Sequence, residues 1–353
     1  MKPTLVVHIG SPYTSTKAIQ KALLYLAPRM RAECGIHYAN TERGKRTTRH
    51  VSVARAALSS PSEMDAEYRA LVDDFERSKA NSLLLTDEFL FGPKTRYSKF
   101  FKRFRADFDI TVICYLLRQD YFAEDAFKQM MRVKDFKDIP PIERFVADAS
   151  MEARMDYHTL LSAWAEVATT MKVVDYQEEV DRLGLMPSMQ EHFGLGKLGQ
   201  LEDFADPEPA DARMLMTLRL LGAGVLQDDA ESLRRALYRA DRALADAGAF
   251  EPVRHILGRR EREALLGRLA SSNKWLAQDF GVSFNSQMPA EPELPLTKPD
   301  GIYMLAMVGE LSPVESMRLH RATQGYWINV LSGVPKQRLV SPHLRQSSQS
   351  AAV

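Results

Sequence analysis

The apolar run Leu5-Val6-Val7-His8-Ile9 stops at Gly10-Ser11-Pro12, passes the hydroxyl residues Tyr13, Thr14, Ser15 and Thr16, and enters the helical pattern of Lys17-Ala18-Ile19-Gln20. This order reads as a buried strand, a tight loop and a helix N-terminus. It constrains the fold strongly, because a continuous apolar strand feeding straight into a helix belongs to a parallel sheet covered on both faces. It also constrains chemistry. The first amides of a helix have no intrahelical acceptor, and together with the helix dipole they favour an anion such as phosphate.

The rest of the first half repeats the pattern. Ile19, Ala22, Leu23 and Leu26 recur at helical spacing on one face. Helical patterns follow over Val51–Leu58 and Met64–Arg77. Ser82–Thr86 reads as a second buried strand ending in Asp87-Glu88, and Ile110–Leu117 as the clearest strand, ending at Arg118. A helix from about Asp120 to Val133, a break at Pro140-Pro141, an amphipathic helix carrying Tyr157, Leu160, Leu161, Trp164 and Ala168, and a short strand over Lys172–Tyr176 complete this part. In sheets of this kind ligands bind beyond the carboxyl ends of strands. Gly10, Glu88 and Arg118 all stand at such ends and are expected to converge on one crevice.

From about Pro187 the strand signal gives way to helical patterns over Ala212–Leu226, Ala230–Gly248, Glu261–Phe280 and Pro313–Leu331. Leu201–Ala210 reads as an acidic linker and Met288–Asp300 as a proline-rich connector. The expected organisation is an α/β domain over 1–284, helical from about 187, then a helical extension over 285–340 and a disordered tail over 341–353. The extension suits a partner surface or homo-oligomer contact.

Composition excludes more than it assigns. The 353 residues are 45% hydrophobic and 26% charged, with a formal net charge of +1. Such a balance gives no global field for nucleic acid or an anionic membrane. The basic cluster Arg43-Gly44-Lys45-Arg46 reads as a solvated loop. The only cysteines, Cys34 and Cys114, form no disulfide framework and no zinc spacing. With no signal peptide and no membrane-length apolar run, the expectation is a cytoplasmic protein without a membrane span.

The first loop is not a Walker A motif, since it lacks the second glycine and the adjoining lysine. The chain instead resembles the bacterial sulfotransferase-like family. That family's donor loop reads His-Ile-Gly-x-Pro-Lys-Thr-Gly-Thr-Thr-x-Ile-Gln, and His8-Ile9-Gly10, Pro12, Thr14, Thr16 and Ile19-Gln20 match in place. A second signature, a strand running into Arg-Gln-Asp-x-x-x-Glu-Ser-x-x-x-Gln, is matched by Arg118-Gln119-Asp120, Glu124 and Gln129. Gly35-Ile36-His37-Tyr38, Thr86-Asp87-Glu88, the Tyr157 to Trp164 helix and Ser271-Ser272-Asn273-Lys274-Trp275 extend the likeness over about Met1 to Phe284.

The resemblance implies a P-loop-like sulfotransferase fold. It further implies transfer of a sulfuryl group from PAPS (3′-phosphoadenosine 5′-phosphosulfate) to a hydroxyl or amine of a carbohydrate, glycolipid or small metabolite, without a metal. Tyr13, Thr14, Ser15, Thr16 and Lys17 would hold the 5′-phosphosulfate and Arg118 the 3′-phosphate of PAPS or its product PAP. Ser272 and Asn273 would lie near the adenine or 3′ end. Glu88, or equally Asp87, would take the acceptor proton. Three positions depart from the pattern. Tyr13 stands where the family has its catalytic lysine, Ser15 replaces the loop glycine, and Asp125 replaces a serine at the 3′-phosphate. Lys17, four positions beyond Tyr13 and about one helical turn along, would then either supply the missing cation or point to solvent on the exposed face of the helix. Two rival readings follow: a catalytically inactive binding or scaffold protein on the same fold, and a nucleotide kinase.

Overall fold

The computed structural model describes residues 2–39, 48–92, 96–133, 140–201, 210–221, 227–289 and 300–321. The cluster Arg43-Gly44-Lys45-Arg46, residues 202–209 of the acidic linker, 290–299 of the connector, the end of the helix expected to reach Leu331 and the tail over 341–353 lie outside them. The chain forms two compact units. The first comprises Met1–Phe122, Asp148–Asp206 and Leu265–Gln287; the second comprises Ala123–Ala147, Pro207–Ala264 and Met288–Val353.

The first unit is built on a parallel sheet flanked by helices. Its strands are β1 (Thr4–His8), β2 (Ile36–Tyr38), β3 (Ser82–Thr86), β4 (Asp109–Leu116) and β5 (Thr170–Asp175), in the order β2-β3-β1-β4-β5. All neighbours run parallel, with His8 opposite Thr86 of β3 on one side and Ile113 of β4 on the other. Among the described residues five strands form where four are expected. The extra one, β2, has three residues, too few for a period-2 pattern to register.

Alternation divides the sheet's faces. Val6, Leu84, Ile113, Tyr115 and Val174 form one buried cluster with Ile19, Ala22, Leu23 and Leu26 of the first helix, α1 (Thr16–Arg29), and with Met186, Met189 and Phe193. Leu5, Val7, Leu83, Leu85, Val112 and Cys114 are buried too, so neither face is left to solvent. Cys114 is thus the small core residue its apolar run suggests. Pro28 interrupts the last turn of α1, which loosens into a π-helical turn over Met30–Cys34 and stops at Gly35, φ 67°. That left-handed conformation suits glycine, and its carbonyl accepts the amides of Asn81 and Ser82 as the chain starts β3.

In the second unit the described elements are helices. The Gly301–Gly309 helix packs on Ala212–Leu221 and Gln227–Asp246, with Leu215, Leu233, Leu237, Met304 and Met307 buried. The single helix expected over Glu261–Phe280 is two, Arg259–Arg268 and Ala270–Phe280, separated at Leu269. Apolar periodicity continues through such a break and does not report it.

Candidate functional site

The loop after β1 has an unusual backbone. Tyr13 (φ 71°) and Ser15 (φ 49°) are both left-handed, at a cost of roughly 1–2 kcal/mol each for a residue with a Cβ. The turn is compact because the Thr14 and Thr16 hydroxyls both donate to the Ser11 carbonyl, at 2.7 and 2.8 Å. Gly10 is closely approached by Thr16. A Cβ there would lie 2.7 Å from Thr16 Cγ2 and 3.2 Å from its Oγ1.

Ser15 occupies the N-cap of α1, yet its side chain caps nothing; its hydroxyl pairs with Tyr176 Oη at 2.8 Å. The first amides bonded to it are those of Ala18 and Ile19, both on the Ser15 carbonyl. The amides of Thr16 and Lys17 precede that ladder and are the donors an anion would meet. The Tyr13 ring stands edge-on to Phe122 at 5.3 Å, while the Lys17 side chain is exposed.

Beside the loop, the ends of β1 and β3 bring together buried polar groups. His8 Nδ1 pairs with Thr86 Oγ1 at 2.8 Å, and Gln20 Nε2 reaches the same hydroxyl at 3.5 Å. Its Cε1 edge faces Gly10, 3.4 Å from where a Cβ would stand. The neighbouring Nε2 is buried without a hydrogen-bond partner among the described residues. Burial lowers this imidazole to about 3, so it is neutral.

Asp87 is fully buried. Its amide donates to the His8 carbonyl at 3.2 Å. Its Oδ1 accepts the Phe89 amide at 2.8 Å, while Oδ2 has no partner among the described residues. Desolvation raises this carboxyl to about 6 against the help of that amide. Glu88 differs from its neighbour in burial and in pairing. It is partly exposed and ion-paired with Arg49 Nη1 at 2.6 Å, and Arg49 also lies 4.8 Å from the Phe89 ring centre. Two carboxylates equivalent in the sequence are thus set apart by the burial of Asp87 and the Arg49 pairing of Glu88.

His50, which follows the basic cluster in the sequence, is a buried strut. Its Nδ1 accepts the Thr86 amide at 2.9 Å and its Nε2 donates to the Ala39 carbonyl at 3.0 Å. Both nitrogens are committed, and burial holds the ring at about 4.

Arg118 is at the end of β4, where the phosphate-clamp expectation puts it, but its guanidinium is already engaged. Nε and Nη2 donate to the two oxygens of Asp120 at 2.7 and 2.9 Å. Nη1 donates to the carbonyls of Asn285 and Gln287 at 2.6 and 2.7 Å. The Tyr121 ring lies 4.7 Å from its Cζ. Four of the five N–H groups of an arginine are thus taken by the protein.

Asn273 exchanges side-chain hydrogen bonds with Gln119, one of them Nδ2 to Oε1 at 3.3 Å. Ser272 donates to Asp156 Oδ1 at 2.6 Å and accepts the His158 amide at 3.4 Å. Both tie the Ala270–Phe280 helix to its neighbours. Asp125 belongs to the second unit, where Lys128 pairs with it at 3.2 Å.

Candidate residues 13–17, Asp87 and Glu88 therefore gather around the ends of β1 and β3, while Arg118 and Asn273 form an internally satisfied group beyond β4. Gln20 and Thr86, both part of the family likeness, join the first group, as do Arg49 and Tyr176, which carry no sequence signal. Glu124, part of the second signature, is a core ion-pair residue of the second unit. It accepts from His255 Nδ1, the amides of Ile256 and Leu257, and Arg262 Nη2 at 2.6 Å.

Among the described residues no group of three or more histidine, cysteine or acidic side chains is placed to hold a metal ion. None of their helices is long and apolar enough to cross a membrane. No protein-family profile matches the sequence, and no curated protein matches it. Among solved structures, the chain is similar to the crystal structure of a sulfotransferase from Alicyclobacillus acidocaldarius at 13% identity and a TM-score of 0.43, over 80% of this chain and 98% of that one.

Proposed function

We propose that this chain transfers a sulfuryl group from PAPS to a hydroxyl or amine acceptor. The 5′-phosphosulfate rests on the amide-lined loop after β1, and Asp87 receives the acceptor proton. The observation that carries the reading is the loop itself. Its hydroxyls turn onto Ser11 and Tyr176, which leaves the leading amides of α1 for an anion.

In the transfer, the acceptor oxygen or nitrogen bonds to sulfur while the bond from sulfur to the bridging oxygen breaks. That oxygen keeps the electron pair and departs as PAP. The amides of Thr16 and Lys17 stabilise the charge growing on it, with the Lys17 ammonium folding back in place of the lysine that Tyr13 displaces. Asp87, raised to about 6 by burial, is basic enough to accept a proton and weak enough to release it afterwards. The loop suits the 5′ end of the donor. At the 3′ end, Arg118 has to exchange the Asn285 and Gln287 carbonyls for a phosphate.

That last requirement favours a second reading, a non-catalytic member of the fold that keeps an anion pocket and acts as a binding protein. A nucleotide kinase is the weakest of the three readings.

Thermal stabilisation separates them, since a ligand that binds only the native state raises stability by RT ln(1 + [L]/Kd). PAP is expected to raise the melting temperature, and Asp87→Asn to abolish sulfuryl transfer while retaining the PAP shift. A PAP shift without transfer to any hydroxyl or amine tested supports the binding protein. A shift with ATP and Mg²⁺ but not PAP supports the kinase, and no shift with either ligand removes the nucleotide site altogether.

A further inference from the structure

Serine is among the preferred N-cap residues because its hydroxyl ordinarily accepts an amide of the first helical turn. At α1 it does not. Ser15 is held left-handed, its side chain makes no capping hydrogen bond, and its hydroxyl is paired with Tyr176 Oη at 2.8 Å. Tyr176 is the residue after β5, 161 positions away, and its ring stands edge-on to Tyr115 at 6.4 Å. Tyr115 is in turn fixed by Ser188 at 3.1 Å. The hydroxyl is therefore held from a packed part of the sheet rather than from the loop. An independent feature marks the same place. His8, wholly buried with its Cε1 edge on Gly10, leaves Nε2 without a partner among the described residues.

We propose that Tyr176 is a positioning residue, keeping the leading amides of α1 open to an anion by holding the Ser15 hydroxyl away from them. The inference rests on the anion-loop reading above. Without the Tyr176 hydroxyl, Ser15 relaxes to the extended conformation of an ordinary N-cap, shedding left-handed strain. Its oxygen then accepts the Lys17 amide, whereas the Ala18 amide is already on the Ser15 carbonyl. The helix gains a cap and the anion loses a donor.

The test compares the full-length protein with Tyr176→Phe and with Tyr176→Phe/Ser15→Gly, titrated calorimetrically with PAP and with inorganic pyrophosphate. Glycine takes the left-handed conformation without strain and has no hydroxyl with which to cap. Tyr176→Phe is expected to weaken both probes roughly tenfold, the worth of the cap gained, and the double variant to bind within about twofold of the wild type. In the ligand-free protein, Tyr176→Phe is expected to slow amide exchange at Lys17.

Unchanged affinity in Tyr176→Phe, or failure of Ser15→Gly to restore it, overturns the positioning role and leaves the anion loop standing. Unchanged exchange at Lys17 overturns it whatever the ligands do. A folded wild type that binds neither probe overturns the anion loop, and the role of Tyr176 falls with it.

Discussion

Asp120 receives both Nε and Nη2 of Arg118, at 2.7 and 2.9 Å, with the carboxylate wholly buried and the guanidinium nearly so. Removing one partner of such a pair strands the other charge, at a cost of about 3–5 kcal/mol. Arg118→Ala is thus expected to destabilise the first unit by that amount, through lost pairing with Asp120 and lost contacts to Asn285 and Gln287. Asp120→Ala is expected to cost a similar amount. Urea denaturation of both single variants and the double should give strong coupling. Additive losses would show that the guanidinium is held by other means.

The close approach of Gly10 to Thr16 makes Gly10→Ala a test of the loop. Its Cβ would stand 2.7 Å from Thr16 Cγ2, so the loop must shift. A loss of about 1–3 kcal/mol is expected in denaturant titrations, with weaker pyrophosphate binding. A variant as stable as the wild type, with the same affinity, would show that the approach is not constraining.

The buried histidines and Asp87 give the first unit a signed dependence on pH. His8 at about 3 and His50 at about 4 are both lowered from 6.5, by burial first. The unfolded chain binds their protons below 6.5 and the native state does not, so this stability is present above 6.5 and declines as pH falls. Asp87, raised from 3.8 to about 6 by burial, acts in the opposite sense. The native state protonates first, so falling pH between 6 and 3.8 adds stability. Asp87→Asn is therefore expected to stabilise the protein at pH 7 by up to about 3 kcal/mol, and to steepen the loss between pH 6 and 4. Stability curves for the variant and wild type that run parallel from pH 7 to 4 would remove Asp87 from this balance.

Glu124 is the corresponding test in the second unit. Burial alone would raise its carboxyl, but hydrogen bonds from His255 and Ile256 and the nearby charges of Lys128 and Arg262 hold it at about 2. Its contribution is present above 4.5 and is lost as pH falls toward 2. Glu124→Gln leaves Arg262 buried without a carboxylate, so about 3–5 kcal/mol should be lost. A change below 1 kcal/mol in hydrogen exchange across Arg259–Arg268 would contradict this.

Much of the sheet was legible because buried parallel strands are continuous apolar runs. Ser82–Thr86 reads as a strand with the observed bounds, and Ile110–Leu117 within one residue of them. Strand β2 escaped because three residues carry no period, and the break at Leu269 because helix phase runs across it. The turn from β1 into α1 was legible since it is local. What surrounds it was not, because neighbours brought by tertiary folding leave no trace in spacing. Asp87 and Glu88 are adjacent carboxylates distinguished only by the burial of one and the Arg49 pairing of the other. The same holds for Arg118, whose partners Asn285 and Gln287 lie 167 and 169 positions away.

The strand order has a consequence for how this sheet meets other molecules. An open sheet ends in two rows of unsatisfied main-chain groups, which invite a foreign strand when they are long and apolar. Here one row belongs to the three-residue β2, and the other to β5, which bears Lys172 and Asp175. Neither border offers a useful template, so the sheet is guarded against growing by addition of strands from another chain.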